Sequence, residues 1–485
     1  MRWWQWALGT FVIIAAGLAA LVFALLPPDI APPPRSDMVI SGVTVVNPGA
    51  GRLANRTIIV HDGRIAAIRE RRADDPAPLC PGCFALPGLI DAHVHTPPRI
   101  ALGNQRLFAL LYLEYGVTSV RDMGQSEPSV ADLAADLNAG RIVGPHMYRC
   151  GPVLDGDPPG WPAARRVVTP AEGRAAVDDI AATGADCIKV YNEVNLPTYR
   201  AIAAEAAHFG LPVLGHVPHP VGLLNLSNFE AQHLTGFPYL TRPLPPPGDD
   251  LRAEDLLAMS NSEIAHVLDI TAERNISLLP TLANSELRLI ASDPRRFPPT
   301  PGARDLPAFW GPVWGALVDH PRTQQQITRQ PLMLARIYAI TGRARLRGID
   351  VLAGTDTIMP WVVPGESLHI EIARLSQAFD SNEAALAAAT AVNGRHIADG
   401  QIGILAPGAR ADILLLPSDP MRDLARLRDW KILIADGRRY DRATVDAWVA
   451  EYRAHFHGWL YSGVMNTIVG VVLRQFQSTA AAKQP

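Results

Sequence analysis

The sequence predicts an α/β protein: a (β/α)8 TIM-type barrel with a small β-sandwich domain formed from both chain ends, plus an N-terminal transmembrane helix. Three observations predict this arrangement. Short apolar runs alternate with longer helical stretches in the middle of the chain, strand-and-turn patterns recur on both sides of it, and the chain begins with a long charge-free run. The predicted boundaries are 1–36 for the anchor and a Pro-rich spacer, 37–85 and 399–445 for the two parts of the β domain, 86–398 for the barrel, and 446–485 for a C-terminal amphipathic helical segment.

The N-terminal apolar run predicts a membrane anchor. Trp3 to Leu26 comprises 24 residues without a charge, and a helix of about 20 residues spans the hydrocarbon core of a bilayer. Arg2 and the terminal amine favour an N-terminus inside, which places the body outside the cytoplasm, in the periplasm. The sequence Val-Phe-Ala ending at Ala24 leaves cleavage as a signal peptide open. The prolines from Pro27 to Pro34 predict a stiff spacer.

Two segments with strand-like patterns predict the small β domain. Asp62-Gly63 and Asp436-Gly437 each separate apolar runs, and Asp-Gly between such runs is a strong hairpin signal. One pair lies before the barrel and the other after it. Both chain ends are therefore expected to build one sheet domain.

The C-terminal segment predicts an amphipathic helix with a broad apolar face. Between Trp459 and Phe476 the polar residues recur every four positions, at Ser462, Asn466, Gly470 and Arg474. Such a helix either packs against the body or another subunit, or lies in the bilayer interface. A homo-oligomer is compatible with the first alternative.

The middle of the chain contains eight candidate strands, which is the number in a (β/α)8 barrel. Ala-rich helical stretches such as Pro197–Phe209 and Asn382–Ala391 fill the intervals between them. The predicted strands are Ile90–His95, Thr118–Met123, His146–Cys150, Cys187–Tyr191, Val213–Val217, Glu230–His233, Leu278–Thr281 and Val351–Asp356.

The composition excludes some functions and draws attention to one lysine. With 44 basic and 47 acidic residues the chain is close to neutral, which excludes an electrostatic nucleic-acid binder. Only three basic residues are lysines: Lys189, Lys431 and Lys483. A lysine amine can be neutralised and modified, whereas arginine cannot lose its proton. Lys189 is therefore a candidate for chemistry that arginine could not perform.

Six side chains suited to metal binding are predicted to converge at one end of the barrel. Each lies at the C-terminal end of a predicted strand, where such barrels place their active sites. His93 and His95 point to the same side, because alternate residues of a strand share a face. The six residues are His93, His95, Lys189, His216, His233 and Asp356.

These residues lie within motifs that resemble the metal-dependent amidohydrolase superfamily over about residues 38–440, most closely its imidazolonepropionase-related and prolidase-like branch. The first motif is Leu86-Pro-Gly-Leu-Ile-Asp-Ala-His-Val-His95, and the last are Pro407-Gly-Ala-Arg-Ala-Asp412 and Ala435-Asp-Gly437. The other similar segments are Ile188-Lys-Val190, Gly215-His216, Gln232-His233, Ala353-Gly-Thr-Asp356 and Ala389-Thr through Ile402-Gly. Gln232 stands where the branch usually has Glu, which leaves the neighbouring ligand intact.

The resemblance implies a hydrolase with two divalent metal ions, and its ligand chemistry suits zinc. His93, His95 and Asp356 would hold one ion and His216 and His233 the second. Lys189 would be carboxylated and bridge the two ions. A metal-bridging hydroxide would attack the carbonyl of a small amide substrate, such as a dipeptide or an N-acyl amino acid, while Asp356 transfers the proton to the leaving group.

Substrate contacts and alternative functions follow less directly from the sequence. Tyr191 faces the same way as Lys189, Arg121 could pair with a carboxylate, and His369 follows the eighth strand. The alternatives are a single-metal cyclic amidase, a lactone or ester hydrolase, and a non-catalytic metal-holding module at the membrane. Whether Cys80 and Cys83 form a disulfide stays open.

Overall fold

The computed structural model describes residues 3–124, 128–161, 163–245, 253–292, 298–317 and 324–481. Its strands are β1 (Met38–Asn47), β2 (Gly51–His61), β3 (Arg64–Glu70), β4 (Phe84–Pro87), β5 (Leu89–Val94), β6 (Val117–Asp122), β7 (His146–Arg149), β8 (Leu154–Asp155), β9 (Arg165–Arg166), β10 (Ile188–Val190), β11 (Val213–Gly215), β12 (Glu230–Gln232), β13 (Ser277–Leu279), β14 (Ile413–Leu416), β15 (Ile432–Ala435) and β16 (Arg438–Asp441).

The α-helices alternate with the strands through the middle of the chain. They are α1 (Trp3–Leu25), α2 (Asn104–Glu114), α3 (Pro128–Asn138), α4 (Pro170–Ala182), α5 (Leu196–His208), α6 (Ala253–Ala258), α7 (Asn261–Glu273), α8 (Leu282–Ser292), α9 (Trp310–Leu317), α10 (Gln324–Leu346), α11 (Glu366–Phe379), α12 (Asn382–Ala387), α13 (Asn393–Ala398), α14 (Arg442–His457) and α15 (Trp459–Ala481). Local chemistry sets several helix ends: α4 begins at a capping box in which Thr169 and Glu172 satisfy each other's backbone amides.

The small sheet combines strands from both chain ends, in the order β16-β15-β14-β4-β1-β2-β3. Asp62 and Asp436, each with the glycine that follows, adopt positive φ in the two hairpin turns, as the Asp-Gly signals predict. Instead of two separate sheets, the seven strands form one continuous sheet that curls back on itself, since Arg64 of β3 bridges Arg410 just before β14. Side chains on its inner face, including Ile58 and Ile413, form a separate apolar core.

The predicted barrel is present: its parallel strands form two sheets, and single β-bridges join the sheets into a closed barrel. β5, β6 and β7 form one sheet, and β10 to β13 belong to another. The eighth segment, 351–357, joins β13 through Leu278↔Val351 and β5 through Val94↔Thr357. Every residue of β5 and β6 is buried, as expected of parallel strands covered on both faces. All eight predicted strands therefore lie where the sequence indicates, although the eighth forms bridges and no ladder.

A disulfide lies at the seam between the two barrel sheets. Cys150 follows β7, Cys187 precedes β10, and these two residues also form the bridge that connects the sheets. Both side chains are buried. The cross-link therefore fixes the start of the strand that carries Lys189. Cys80 and Cys83 form the second disulfide, which answers the question that the sequence left open.

The terminal helices do not confirm the predicted transmembrane segment. Within the ranges that the structure describes, no single helix is long and apolar enough to cross a bilayer; the apolar part of α1 is Thr10–Leu25. The helices Arg442–His457 and Trp459–Gln475 are long and apolar enough to cross a bilayer only when they are taken together, and the pair is bent by 60°. Tyr461 and Met465 of α15 are buried against the body, so that part of the C-terminal segment packs on the protein.

The seam disulfide should contribute strongly to stability. Replacing both Cys150 and Cys187 by Ala opens a loop with a sequence separation of 37 residues, which should lower the free energy of unfolding by about 4 kcal/mol in urea titrations. Cys80→Ala with Cys83→Ala is the matched control: its separation is 3 residues, and the expected loss is about 2 kcal/mol. Equal losses for the two pairs would contradict a special role for the seam.

Candidate active site

The six predicted ligands come together at the C-terminal ends of the barrel strands. His95, Lys189, His216, His233 and Asp356 line one cavity of about 420 Å³. His93, within β5, is fully buried behind them. The joint placement predicted from the sequence therefore holds in three dimensions.

Asp356 lies at the centre of the cluster. Its Oδ1 is 3.2 Å from Nε2 of His93 and 3.4 Å from Nε2 of His95, and its Oδ2 is 3.9 Å from Nε2 of His233. Burial alone would raise the pKa of Asp356, but the nearby imidazoles outweigh it and hold that pKa well below its usual range. Asp356 is thus an ionised carboxylate that faces at least three imidazole nitrogens.

A second carboxyl group below the cluster differs in charge. Burial raises the pKa of Asp91 to about 7, against hydrogen bonds from Thr355 and from the backbone amide of His93. Near neutral pH Asp91 is therefore partly protonated, whereas Asp356 is ionised.

Neighbouring polar groups orient two of the histidines. Nδ1 of His216 lies 2.8 Å from Oδ1 of Asn192, and Nδ1 of His233 lies 2.7 Å from Oγ1 of Thr281. Because Nδ1 is used in each ring, Nε2 is the nitrogen that a metal would use. The ring of His216 also stacks on Tyr191, with centroids 3.9 Å apart.

Asn284 holds the carboxylate of Asp356 from the opposite side. Its Nδ2 donates to Oδ2 of Asp356 at 2.6 Å, and the Asn284 side chain is buried. Oδ1 is thereby directed to His93 and His95, and Oδ2 is held by an amide. The sequence offered no signal for Asn284, Asn192 or Thr281, since each is an ordinary polar residue outside the recognisable motifs.

Backbone conformation at the site is unusual. His233, Thr281 and Asp356 adopt φ values of 56°, 48° and 64°, which residues other than glycine rarely adopt. Such strain persists only where the surrounding structure enforces it, and it concentrates at functional sites. The strand ends are therefore bent to aim these side chains into the cavity.

The residues present fit divalent metal ions. One donor atom from each of His93, His233 and Asp356 lies within 4.8 Å of the other two. Nδ1 of His93 is buried without a hydrogen-bond partner among the described residues, and Nζ of Lys189 lies 3.5 Å from Nε2 of His93. Four imidazoles and one carboxylate suit zinc and similar first-row metals. A buried ammonium among imidazoles is costly, whereas an anionic carbamate would complete the donor set.

Two of the three residues predicted to contact the substrate do not line the cavity. Tyr191 lines the cavity. Arg121 instead forms a bidentate ion pair with Glu230 inside the barrel, at 2.7 and 2.6 Å, because the interior needs a counter-charge for it. His369 is buried on α11 and hydrogen-bonds the carbonyl of Tyr115 at 2.8 Å. The geometry therefore argues against substrate roles for Arg121 and His369.

One side of the remaining cavity wall is apolar, and the rest carries polar side chains such as Thr235 and Ser285. One face of α10 contributes residues at helical spacing: Gln330, Met333, Leu334 and Ile337. Met359, just after the eighth segment, and Trp161 extend this wall, and Arg288 of α8 adds a cationic group. The cavity thus pairs a polar floor with an apolar side.

Comparisons with known proteins agree with this geometry. The sequence profile of the amidohydrolase family matches residues 84–440. The structure is similar to a bottromycin amidohydrolase (TM-score 0.69, 26% identity, covering 90% of this chain and 93% of that one). It is also similar to a putative prolidase from Bifidobacterium longum (TM-score 0.63, 25% identity, covering 86% and 100%).

A curated relative matches over a shorter segment. It is an adenine deaminase from Thermosipho africanus (strain TCF52B), 34% identical over 85 residues. This match covers 17% of the present chain and 14% of the relative, so it spans about one seventh of that protein. The profile match, in contrast, spans most of the chain and includes all six candidate ligands. The chain therefore belongs to the amidohydrolase family of enzymes.

Proposed function

We propose that this enzyme hydrolyses the C–N bond of a small amide, such as a dipeptide or an N-acyl amino acid, with two divalent metal ions that are zinc. The observation that carries the proposal is the convergence of four histidines and Lys189 around a single fixed carboxylate, Asp356. The named solved relatives, an amidohydrolase and a putative prolidase, support an amide substrate.

The residues of the chain divide the work of hydrolysis. Bound divalent ions supply a polarised substrate carbonyl and a hydroxide nucleophile at neutral pH. Asp356, held by Asn284 through Oδ2, accepts a proton and passes it to the departing nitrogen. Tyr191 lines the cavity beside His216 and donates a hydrogen bond to the substrate. The neutral amine of Lys189 would add to carbon dioxide and lose a proton, and the resulting carbamate would help the histidines to hold the ions.

One observation favours a second candidate, a single-metal cyclic amidase. His93, His233 and Asp356 alone already place three donor atoms within 4.8 Å of one another. A single ion could occupy this group without Lys189 or His216. The metal content of the purified enzyme separates the two candidates.

We also propose that the enzyme is membrane-anchored, with its body outside the cytoplasm. α1 contains no charged residue, and many of its apolar side chains are exposed, including Phe11, Ile13 and Phe23. Both cysteine pairs are disulfide-bonded, which is typical of oxidising compartments. Together these features support a periplasmic body on an N-terminal anchor.

The metal proposal predicts a specific role for Lys189. Enzyme purified with zinc and bicarbonate should hold about two ions per chain, because six convergent donors exceed what one tetrahedral ion needs. Lys189→Ala and Lys189→Arg should each lose bound metal and nearly all activity, as measured by elemental mass spectrometry and amide hydrolysis. The control Lys431→Ala removes a lysine that is exposed in the small sheet and should change neither. Full metal content in Lys189→Arg would contradict the bridging role.

The proton-transfer proposal predicts a graded effect at Asp356 and Asn284. Asp356→Asn keeps an oxygen ligand but removes the base, so turnover should fall by ~10²–10⁴-fold. Asn284→Ala removes one hydrogen bond to a charged group, and turnover should fall by about tenfold to a hundredfold with metal content retained.

The control for these variants is Asn138→Ala. The side chain of Asn138 donates from Nδ2 to the carbonyl of Met147 and accepts at Oδ1 from the amide of Met147. Asn138 is not among the residues that line the cavity, so turnover should be unchanged. If Asp356→Asn with normal metal content turned over at the normal rate, the base would have to be another residue.

A further inference from the structure

Two apolar helices leave the body at the same point. The end of α1 is held by α14, since His455 donates from Nε2 to the carbonyl of Leu25 at 3.2 Å and Tyr452 donates to the carbonyl of Pro28 at 3.0 Å. α15 begins directly beside it, because Tyr461 packs on His455 with ring centroids 5.5 Å apart. We call residues 25–28 and 456–461 the root of the two helices.

The root is attached to the loop that follows the first barrel strand. Tyr461 donates to the carbonyl of Leu102 at 2.7 Å, and Asn104 donates from Nδ2 to the Tyr461 hydroxyl at 2.7 Å. Gly103 lies so close to Pro27 that an added Cβ would stand 2.4 Å from its Cδ. The same loop begins just after His95. The root therefore sits on the C-terminal face of the barrel, the face on which the cavity opens.

Packed aromatic side chains connect the root to the active site. Trp310 donates from Nε1 to Oδ1 of Asn104 at 2.9 Å, and its ring lies 5.8 Å from that of Trp314. Trp314 donates to the carbonyl of Ile358 at 3.1 Å, two residues beyond Asp356. The root and the site are thus joined through short contacts on one face.

Exposed apolar residues surround the root. Ile100 of the attached loop is 57% exposed, and Trp459 at the start of α15 is 85% exposed. Along α1, Phe23 is 81% exposed, and Trp6 lies exposed near the far end. α1 carries no charged residue, and although no single described helix is long and apolar enough to cross a bilayer, its apolar stretch Thr10–Leu25 offers an exposed surface for contact with lipid. Tryptophans near both ends of such a helix are typical of bilayer interfaces.

We propose that the mouth of the barrel faces a lipid bilayer and that the substrate is an amphipathic amide with a long acyl chain, drawn from the bilayer surface. This inference rests on the proposed hydrolase function and on the proposed membrane anchoring, and it specifies the substrate class. The amide would lie at the metal ligands, and the acyl chain would lie along Met333, Leu334 and Ile337 of α10, which form the apolar wall of the cavity.

Thiol labelling tests which face lies against the bilayer. Because all four native cysteines are disulfide-bonded, Ile100→Cys and Trp459→Cys each introduce one reactive thiol on the mouth face. The matched controls are Leu346→Cys and Phe209→Cys, at exposed apolar positions. They lie at the C-terminal ends of α10 and α5, where the helices of a (β/α)8 barrel return to the face opposite the mouth. The full chain is placed in phosphatidylcholine nanodiscs, one chain per disc, and labelled with a charged maleimide.

We expect the mouth-face thiols to lose most of their labelling and the controls to label fully, with each rate normalised to the unfolded protein. One chain per disc prevents a second copy from protecting the mouth face. Equal labelling on both faces would overturn the proposed orientation, whatever the enzyme hydrolyses.

Chain-length dependence tests the substrate class. In the metal-loaded full-length enzyme, kcat/KM for N-dodecanoyl-leucine should exceed that for N-acetyl-leucine by about a hundredfold, the effect of burying roughly four methylene groups. Equal values would overturn the acyl-chain assignment and leave the hydrolase proposal standing. Leucyl-proline is included as a third amide. If the enzyme cleaves only leucyl-proline, the proposed substrate class is wrong. If it cleaves none of the three amides, the proposed hydrolase function itself is wrong.

Discussion

The site depends on the junction where the eighth barrel segment meets the first strand. The backbone amide of Asp356 donates to the carbonyl of His93 at 2.7 Å, which places the carboxylate directly beside the two histidines of β5. The same junction is reinforced from below, where Thr355 donates through both its amide and its hydroxyl to Asp91. The proposed metal site depends on this junction, because Asp356 is the point that three of the imidazoles share.

The rest of the barrel supports that junction at a distance. The seam disulfide between Cys150 and Cys187 closes the barrel on the side of Lys189. Deep burial of Glu371 raises its pKa to about 8, while it accepts a hydrogen bond from the amide of Ala283 at the start of α8. That helix carries Asn284, so a carboxyl group outside the cavity helps to position the residue that holds Asp356. A few buried polar contacts thus connect the barrel framework to the position of Asp356.

The sequence predicted the eight strands and the convergence of the six candidate ligands because both leave local signals. Strand ends follow apolar runs, and alternate residues such as His93 and His95 must share a face. It could not predict the partners of Arg121, since the pairing with Glu230 crosses the barrel between residues 109 positions apart. The substrate role predicted for His369 rested on its position along the chain, close to the eighth segment. That position does not show that α11 turns the side chain toward the carbonyl of Tyr115. Asn284 and the seam disulfide likewise depend on tertiary contacts.

Anomalous diffraction from crystals grown with zinc and bicarbonate would show whether the six residues hold two metal ions. We expect two anomalous peaks about 3.5–4 Å apart, one beside His93, His95 and Asp356 and the other beside His216 and His233, with density for a carboxylated amine on Lys189 between them. A single peak with an unmodified Lys189 would rule out the two-metal site.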